Sequence, residues 1–353
     1  MNNRVSYNIG SYKFEVNQFF PKEIFYKITE ERIKHRNEIL DGEYKNRKKR
    51  EFPWDSHLVI IAADHPARGV TKVGENEIAM ANRHEYLGRI IRILMVEKVD
   101  GIMTTPDIMD DLFILDYLFK QKGGQSLLDN KILLGCTNRG GILGSPYEMY
   151  DPVTAYNIED IKKHGIDGAK MMVRLDFETK MAKYSQKTLE ICSSLIRECN
   201  HHNLPAFIEP LPVQMDENGK YKVKKSVKDI IKTIGIATAL GGSSANIWLK
   251  IPYIDDYETV SLSTTHPIMI LGGESTGNPL DLLINFEKGI KAGDNVRGCL
   301  VGRNILYPGS DDPRAIALAV NKIVHDHANI NEAIKILEAN RGKKMNFLTS
   351  KGL

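Results

Sequence analysis

The sequence predicts a closed barrel of eight parallel β-strands surrounded by α-helices, the (β/α)₈ or TIM-barrel fold. After about residue 56, short apolar runs alternate with longer amphipathic stretches, a pattern typical of parallel βαβ units. Eight such runs over roughly 270 residues match the strand number and length expected of this barrel. An open doubly wound sheet is the alternative, but the Gly-x-Gly-x-x-Gly segment expected after its first strand is missing.

Each strand is predicted from a short apolar run, and each helix from a longer amphipathic stretch. The predicted strands are His57–Asp64, Gly101–Thr105, Ile132–Thr137, Gly168–Leu175, Pro205–Pro210, Asn246–Tyr253, Pro267–Gly272 and Gly298–Gly302. The predicted helices are Glu75–Lys98, Ile108–Lys122, Tyr184–Asn203, Val227–Leu240, Pro279–Ala292 and Asp312–His327. The third crossover has the weakest pattern, and only Asn157–His164 within it is predicted to be helical.

Two domains are predicted: an N-terminal helical extension over residues 1–55, and a barrel with a C-terminal helical tail over residues 56–353. Pro21–Leu40 is predicted to be one charged amphipathic helix. The basic segment Lys45–Arg50 is interpreted as a solvated linker in preference to a nucleic-acid patch. The extension is a candidate for subunit contacts in a predicted homo-oligomer.

Composition limits the classes of function. The 353 residues are 42% hydrophobic and 26% charged, as in ordinary soluble proteins. The balance of 48 basic and 45 acidic residues argues against a nucleic-acid or membrane partner. The N-terminus lacks the apolar stretch of a secretory signal, and the four cysteines lack Cys-x-x-Cys spacing. We therefore expect reduced thiols and a cytoplasmic protein.

In a TIM barrel, chemistry lies at the carboxyl ends of the strands, and alternation along each strand shows which residues point inward. On the sixth strand, Lys250 falls on the inward face, opposite the apolar residues that suit the outer helices. On the fourth strand, Lys170 and Arg174 share the inward face, and Glu209 is inward on the fifth. Burial and a second cation would both lower the pKa of Lys250 and favour the neutral amine that attacks a carbonyl. A purely structural salt-bridge cluster is the alternative.

Other strand ends supply candidate substrate contacts. Asp64, at the end of the first strand, has inward parity, whereas His65 is a weaker candidate. Asn138 and Arg139 follow the third strand and could contact substrate. Glycine-rich turns after the seventh and eighth strands predict a phosphate site, because phosphate commonly binds there in this fold. The residues predicted to form it are Gly272, Gly273, Ser275, Gly302 and Arg303.

At these residues the chain resembles the class I aldolase superfamily of deoxyribose-phosphate, archaeal-type fructose-bisphosphate and tagatose-bisphosphate aldolases. Ala63-Asp64-His65 matches the superfamily's first-strand signature, and Lys250 matches its Schiff-base lysine. Lys170 and Glu209 are similar to residues of the tagatose-bisphosphate branch. The N-terminal extension and the Asn138-Arg-Gly-Gly segment resemble a bacterial branch associated with inositol catabolism.

The resemblance implies reversible aldol cleavage of a phosphorylated ketose through a lysine Schiff base, without a metal or other cofactor. Lys250 would be the nucleophile, Glu209 the proton shuttle and Lys170 a second cation, with Asp64 and Arg174 holding hydroxyls. Three alternatives stay open: a metal-dependent aldolase or isomerase, a metal-independent phosphosugar isomerase using Glu209 as base, and a non-catalytic sugar-phosphate-binding barrel. A metal site would need clustered ligands, yet only His65 and His266 lie near strand termini.

Overall fold

The computed structural model describes residues 7–138 and 141–353, and it contains the predicted closed barrel. Each of the eight barrel strands is parallel to its two neighbours, and β1 pairs with β9 to close the ring. The barrel strands are β1 Leu58–Ala63, β2 Gly101–Thr104, β3 Ile132–Cys136, β4 Gly168–Asp176, β5 Ala206–Met215, β7 Ile247–Pro252, β8 Ile268–Leu271 and β9 Val296–Val301. The short strand β6, Tyr221–Val223, pairs antiparallel with the end of β5 and lies outside the ring.

Helices alternate with the barrel strands, as the sequence predicts. They are α4 Arg83–Leu94, α5 Pro106–Gln121, α6 Ile158–Lys163, α7 Ala182–His201, α8 Val227–Thr238, α9 Tyr257–Leu262, α10 Leu280–Ile290, α11 Arg303–Leu306 and α12 Pro313–Asp326. A final helix, α13 Ile330–Asn340, packs against α12. The predicted start of α4 at Glu75 is wrong, because the Asn82 side chain caps the helix by accepting from the Glu85 N–H.

The N-terminal extension contains α1 Val16–Phe19, α2 Lys22–Lys34 and α3 Arg36–Asn46, which corrects the prediction of one helix over Pro21–Leu40. The helix breaks at His35, whose φ of −134° is non-helical. The apolar side chains of this region pack into the outer core, so the chain turns at His35 to follow the barrel surface.

The interpretation of Lys45–Arg50 as a solvated linker is also wrong, because this segment is fastened to the barrel by ion pairs. Arg47 is buried and lies 2.9 Å from Asp167, and it also donates to the Lys131 carbonyl. Arg50 pairs with Asp100 at 2.9 Å. Both aspartates immediately precede barrel strands, so the basic segment ties the extension to the amino-terminal end of the barrel.

Inside the barrel, apolar side chains form the floor and charged side chains lie above them. Phe52 follows the basic segment and packs edge-on against Trp248, with ring centroids 5.4 Å apart. Trp248 stacks in turn with Phe207 at 5.5 Å, and both rings are almost completely buried. Two residues further along these strands stand Glu209 on β5 and Lys250 on β7. The floor therefore supports the candidate site from below.

Candidate active site

Three charged side chains from neighbouring strands meet in the barrel lumen. Glu209 lies between two lysines, with its Oε2 2.8 Å from Lys250 Nζ and 3.0 Å from Lys170 Nζ. All three side chains are at least nine-tenths buried. The structure thus brings together the residues that strand alternation places on the inward face, and their catalytic roles remain predictions.

The two lysines have opposite electrostatic environments. Burial lowers the pKa of Lys250, and the positive charge of Lys170 lowers it further, against the attraction of Glu209. Burial also disfavours the charged form of Lys170, but the carboxylates of Glu209 and Asp64 more than offset this and raise its pKa. Lys250 is therefore the better nucleophile, and Lys170 is the stable cation.

The carboxylates stay ionised because cations surround them. Burial opposes ionisation of Glu209, but Lys170 and Lys250 lower its pKa to about 2. Burial likewise opposes ionisation of Asp64, and Arg68 and Lys170 hold its pKa well below the usual range. Asp64 Oδ2 lies 3.4 Å from Lys170 Nζ, so Lys170 links both carboxylates. The centre therefore contains an ionised carboxylate, Glu209, within hydrogen-bond distance of Lys250, an amine whose pKa is lowered.

Arg68 also belongs to this centre, and it is not among the residues predicted from the sequence. It lies in a short 3₁₀ turn, Pro66–Arg68, directly after β1, and its Nε is 3.4 Å from Asp64 Oδ2. Its Nη1 approaches the Met172 sulfur at 3.7 Å. The spacing of four residues between Asp64 and Arg68 was the available signal, since one tight turn returns the arginine to the strand end.

His65 lies beside Asp64, with its Nδ1 3.9 Å from Asp64 Oδ1, and its ring supports the loop after β9. Burial lowers its pKa to about 3, so the ring is neutral. Its Nδ1 lies 3.4 Å from the Tyr86 hydroxyl. A Cβ at Gly302 would come within 2.3 Å of the His65 ring, so the absence of a side chain at Gly302 permits this contact. His65 therefore positions the turn that the sequence assigns to phosphate.

The predicted substrate contacts from β3 and β4 are engaged within the protein. Asn138 accepts from the Met172 N–H and donates to the Met172 carbonyl, each at 2.8 Å, so its amide joins the two strands. Arg174 pairs with Glu148 at 2.8 Å and with Asp151 at 3.5 Å. Arg139 lies outside the described residues. These contacts favour a structural role for Asn138 and place Arg174 on the rim of the mouth.

The predicted phosphate residues meet at the mouth of the barrel. Asn304 donates to the Gly272 carbonyl, and Ser275 Oγ donates to the Tyr307 carbonyl at 2.6 Å, so two side-chain hydrogen bonds join the loops after β8 and β9. Arg303 lies 3.4 Å from Glu274. Gly273 has a φ of +73°, which glycine adopts without strain.

A cleft of about 450 Å³ adjoins these loops. Arg303, Ser275 and Glu274 form one wall, and the segment after the Arg68 turn forms the other with Thr71 and Lys72. Lys250 does not line this cleft, which lies beside the lysine centre at the same end of the barrel. The arrangement can hold an anionic group away from the Lys250 amine.

Across residues 7–138 and 141–353, His, Cys, Asp and Glu form no group of three or more that could bind a metal ion. No helix in the same ranges combines the length and apolar character needed to span a membrane.

The fold and site define a (β/α)₈ barrel with a buried lysine and carboxylate centre in its mouth. The chain belongs to the Cgl0159-like family, whose model matches residues 56–324. The crystal structure of Cgl0159 from Corynebacterium glutamicum is 36% identical, with a TM-score of 0.78 over 87% of this chain and 98% of that one.

Two further comparisons involve proteins named as aldolases. A Saccharolobus solfataricus protein named "uncharacterized aldolase SSO3226" is 28% identical over 291 residues, covering 79% of this chain and 94% of the relative. An archaeal fructose-1,6-bisphosphate aldolase, solved with its catalytic lysine bound to a carbinolamine intermediate, is 20% identical with a TM-score of 0.54. That likeness covers 81% of this chain and 99% of the aldolase and shows a shared fold.

Proposed function

We propose that this protein is a class I aldolase that reversibly cleaves a phosphorylated ketose through a Schiff base on Lys250. The single observation that carries the proposal is the placement of Lys250 Nζ, buried and 2.8 Å from Glu209 Oε2, with Lys170 Nζ 3.0 Å from the same oxygen. The resemblance to the tagatose-bisphosphate branch depends on Lys170 and Glu209 alone. The resemblance of the N-terminal extension and the Asn138-Arg-Gly-Gly segment to a branch associated with inositol catabolism suggests a keto-sugar phosphate from inositol breakdown as the substrate.

The first step is attack of the neutral Lys250 amine on the ketone carbon. The carbinolamine that forms loses its hydroxyl group as water and becomes an iminium ion. Lys170 lowers the pKa of Lys250 and so favours its neutral form, because a second ammonium group beside Lys170 is unfavourable. The ionised Glu209 accepts the proton that the attacking nitrogen releases and passes it to the carbinolamine oxygen, so that Glu209 is ionised again before the second step. A second proton, taken from solvent at the barrel mouth, lets that oxygen leave as water, and the later hydrolysis of the iminium returns a proton to solvent.

In the second step, Glu209 removes the proton from the hydroxyl group of the carbon that is cleaved. The carbon–carbon bond breaks, its electron pair moves into the iminium to form an enamine, and an aldehyde leaves. Glu209 then protonates the enamine carbon, and water hydrolyses the resulting iminium to release the second product. Asp64 and Arg68 lie beside this path and are placed to hold substrate hydroxyl groups or charge.

The loops after β8 and β9 would hold the substrate phosphate. Arg303 offers a guanidinium group, and the missing side chain at Gly273 leaves room for an anion to approach the backbone N–H groups of this loop. The cleft between Arg303 and Lys72 has room for the end of the substrate remote from Lys250. The phosphate would then bind in the cleft, while the carbon that reacts would lie at Lys250.

Reductive trapping tests the proposal. Borohydride added with a panel of ketose phosphates should reduce the imine and leave a stable adduct on the peptide that contains Lys250, detected by mass spectrometry. Turnover of a sugar phosphate without any adduct would instead support an isomerase that uses Glu209 as base. Binding without turnover or adduct would support a non-catalytic barrel.

A further inference from the structure

A second charged region lies on the side of the barrel where α4 and α5 end, away from Lys250. It is a groove of about 1190 Å³, which we call the basic groove. Part of its wall is apolar and is formed by Met95, Leu318 and Phe347. It shares no lining residue with the lysine centre or with the cleft beside Arg303. The proposed aldolase site therefore does not account for the charged side chains that line this groove.

Positive charge predominates in this groove. Seven lining side chains are basic, whereas Glu97 and Asp129 are acidic. The basic residues are Lys48, Arg50, Lys98, Lys120, Lys131, Arg314 and Lys344. Arg50, Lys98 and Lys120 pair with carboxylates, and Lys131 donates to backbone carbonyls. Within residues 7–138 and 141–353, Lys48, Lys344 and Arg314 make no ion pair.

Arg314 provides the independent sign of a ligand. The residue is 8% exposed, and its Nε and Nη1 are buried without a hydrogen-bond partner among the described residues. The nearby Asp312 carboxylate is already occupied: Arg92 donates to both of its oxygens, at 3.0 and 2.7 Å, and the Gly342 N–H donates at 3.0 Å. Burial, together with the charge of Arg92, lowers the pKa of Arg314, as expected for a cation without a counter-ion.

A buried guanidinium without an acceptor is destabilising, and an anion in the groove would supply both the acceptor and the missing charge. We infer that the basic groove is a second anion site, which binds a small phosphate ester through Arg314, Lys48 and Lys344. The groove volume is much larger than inorganic phosphate requires, and part of the wall is apolar. Both features indicate that the ester carries an organic group.

Isothermal titration calorimetry with inorganic pyrophosphate tests this inference on the full-length protein. Arg314→Leu should weaken pyrophosphate binding in the groove by roughly tenfold to a hundredfold, the effect of removing a charge-assisted hydrogen bond. Lys288→Leu, which removes an exposed lysine on α10, is the matched control and should bind as the unmodified protein does. Equal affinity and stoichiometry in Arg314→Leu and the unmodified protein would overturn the inference.

An Arg303→Ala variant separates this site from the proposed substrate phosphate site. Pyrophosphate binding that persists in Arg303→Ala and disappears when Arg314→Leu is added supports the groove, whether or not the barrel is an aldolase. If Arg314→Leu fails to fold, the double variant Lys48→Ser and Lys344→Ser removes two exposed groove cations without breaking an ion pair. Unchanged binding in that double variant would also contradict the inference.

Discussion

Lys131 and Lys250 are both buried lysines at barrel strands, but their partners differ. Lys131 immediately precedes β3 and donates to the carbonyls of Val96, Glu97 and Val99 at 3.0, 2.8 and 2.6 Å. Burial lowers the pKa of Lys131 to about 8. Lys250 lies in the lumen on β7 and has Glu209 as its hydrogen-bond partner, with Lys170 opposite.

The comparison shows that burial alone does not make a lysine nucleophilic. Three carbonyl oxygens use all the N–H groups of Lys131 and tie it to the loop after α4. Lys250 donates to one acceptor, Glu209, and the neighbouring positive charge of Lys170 lowers its pKa. It also faces the end of the barrel where the candidate phosphate loops meet. Lys131 therefore stabilises the fold, whereas the surroundings of Lys250 suit a nucleophile.

The sharpest test of this difference replaces each lysine with methionine. Lys250→Met should lower kcat/KM by a factor on the order of 10³ or more and abolish borohydride trapping, because the electron sink is lost. Lys131→Met should leave trapping intact and lower the free energy of unfolding by about 1–3 kcal/mol, since buried carbonyls lose their donor. Full activity in Lys250→Met would defeat the proposed mechanism.

Glu209→Gln distinguishes imine formation by Lys250 from proton transfer by Glu209. We expect kcat to fall by roughly 10²- to 10⁴-fold, as for loss of a general acid or base. Trapping of the imine should persist, because Glu209 raises the pKa of Lys250 and its removal favours the neutral amine. Steady-state kinetics and trapping yields would be measured together, and unaltered kcat would argue against Glu209 as the proton shuttle.

The influence of Lys170 is testable through pH. The cation at Lys170 lowers the pKa of Lys250, so Lys170→Met should raise it. Because the reaction needs the deprotonated amine, the acidic limb of the kcat/KM profile should move to higher pH. Lys170→Arg keeps the charge and should leave the limb nearer its original position. An identical limb in Lys170→Met would show that the two side chains are not coupled in this way.

Arg303→Ala examines the phosphate loops and should have the smallest effect. Loss of one charge-assisted contact should raise KM by roughly tenfold to a hundredfold with little change in kcat. A substrate analogue without phosphate serves as the control, since its kinetics should not respond to the substitution. Equal loss with both substrates would indicate that Arg303 maintains the fold of the mouth instead of binding phosphate.

Strand alternation explains why much of the site was predictable from sequence. Each strand has a period of two, so the outward positions of Leu249 and Ile208 fix the inward positions of Lys250 and Glu209. The same reasoning places Lys170 and Asp64 in the lumen, where the structure has them. The barrel itself followed from the number of alternating strand and helix patterns.

Features that depend on loops and long-range pairing were less predictable. The position of Arg68 depends on a 3₁₀ turn, and such a short turn has no periodic hydrophobic pattern from which it could be predicted. The basic segment resembled a solvated linker because its partners, Asp100 and Asp167, lie far away in sequence. The engagement of Asn138 with the Met172 backbone depends on the register between β3 and β4, and the sequence does not specify that register.

The aromatic floor formed by Phe52, Phe207 and Trp248 would set the order of events in the proposed reaction. With the lumen filled beneath Lys250, water expelled during imine formation would leave through the mouth, past the phosphate end of the substrate. The water that hydrolyses the imine would enter along the same route. Departure of the aldehyde fragment would then clear the path for hydrolysis, so that covalent release follows, and does not precede, dissociation of the first product.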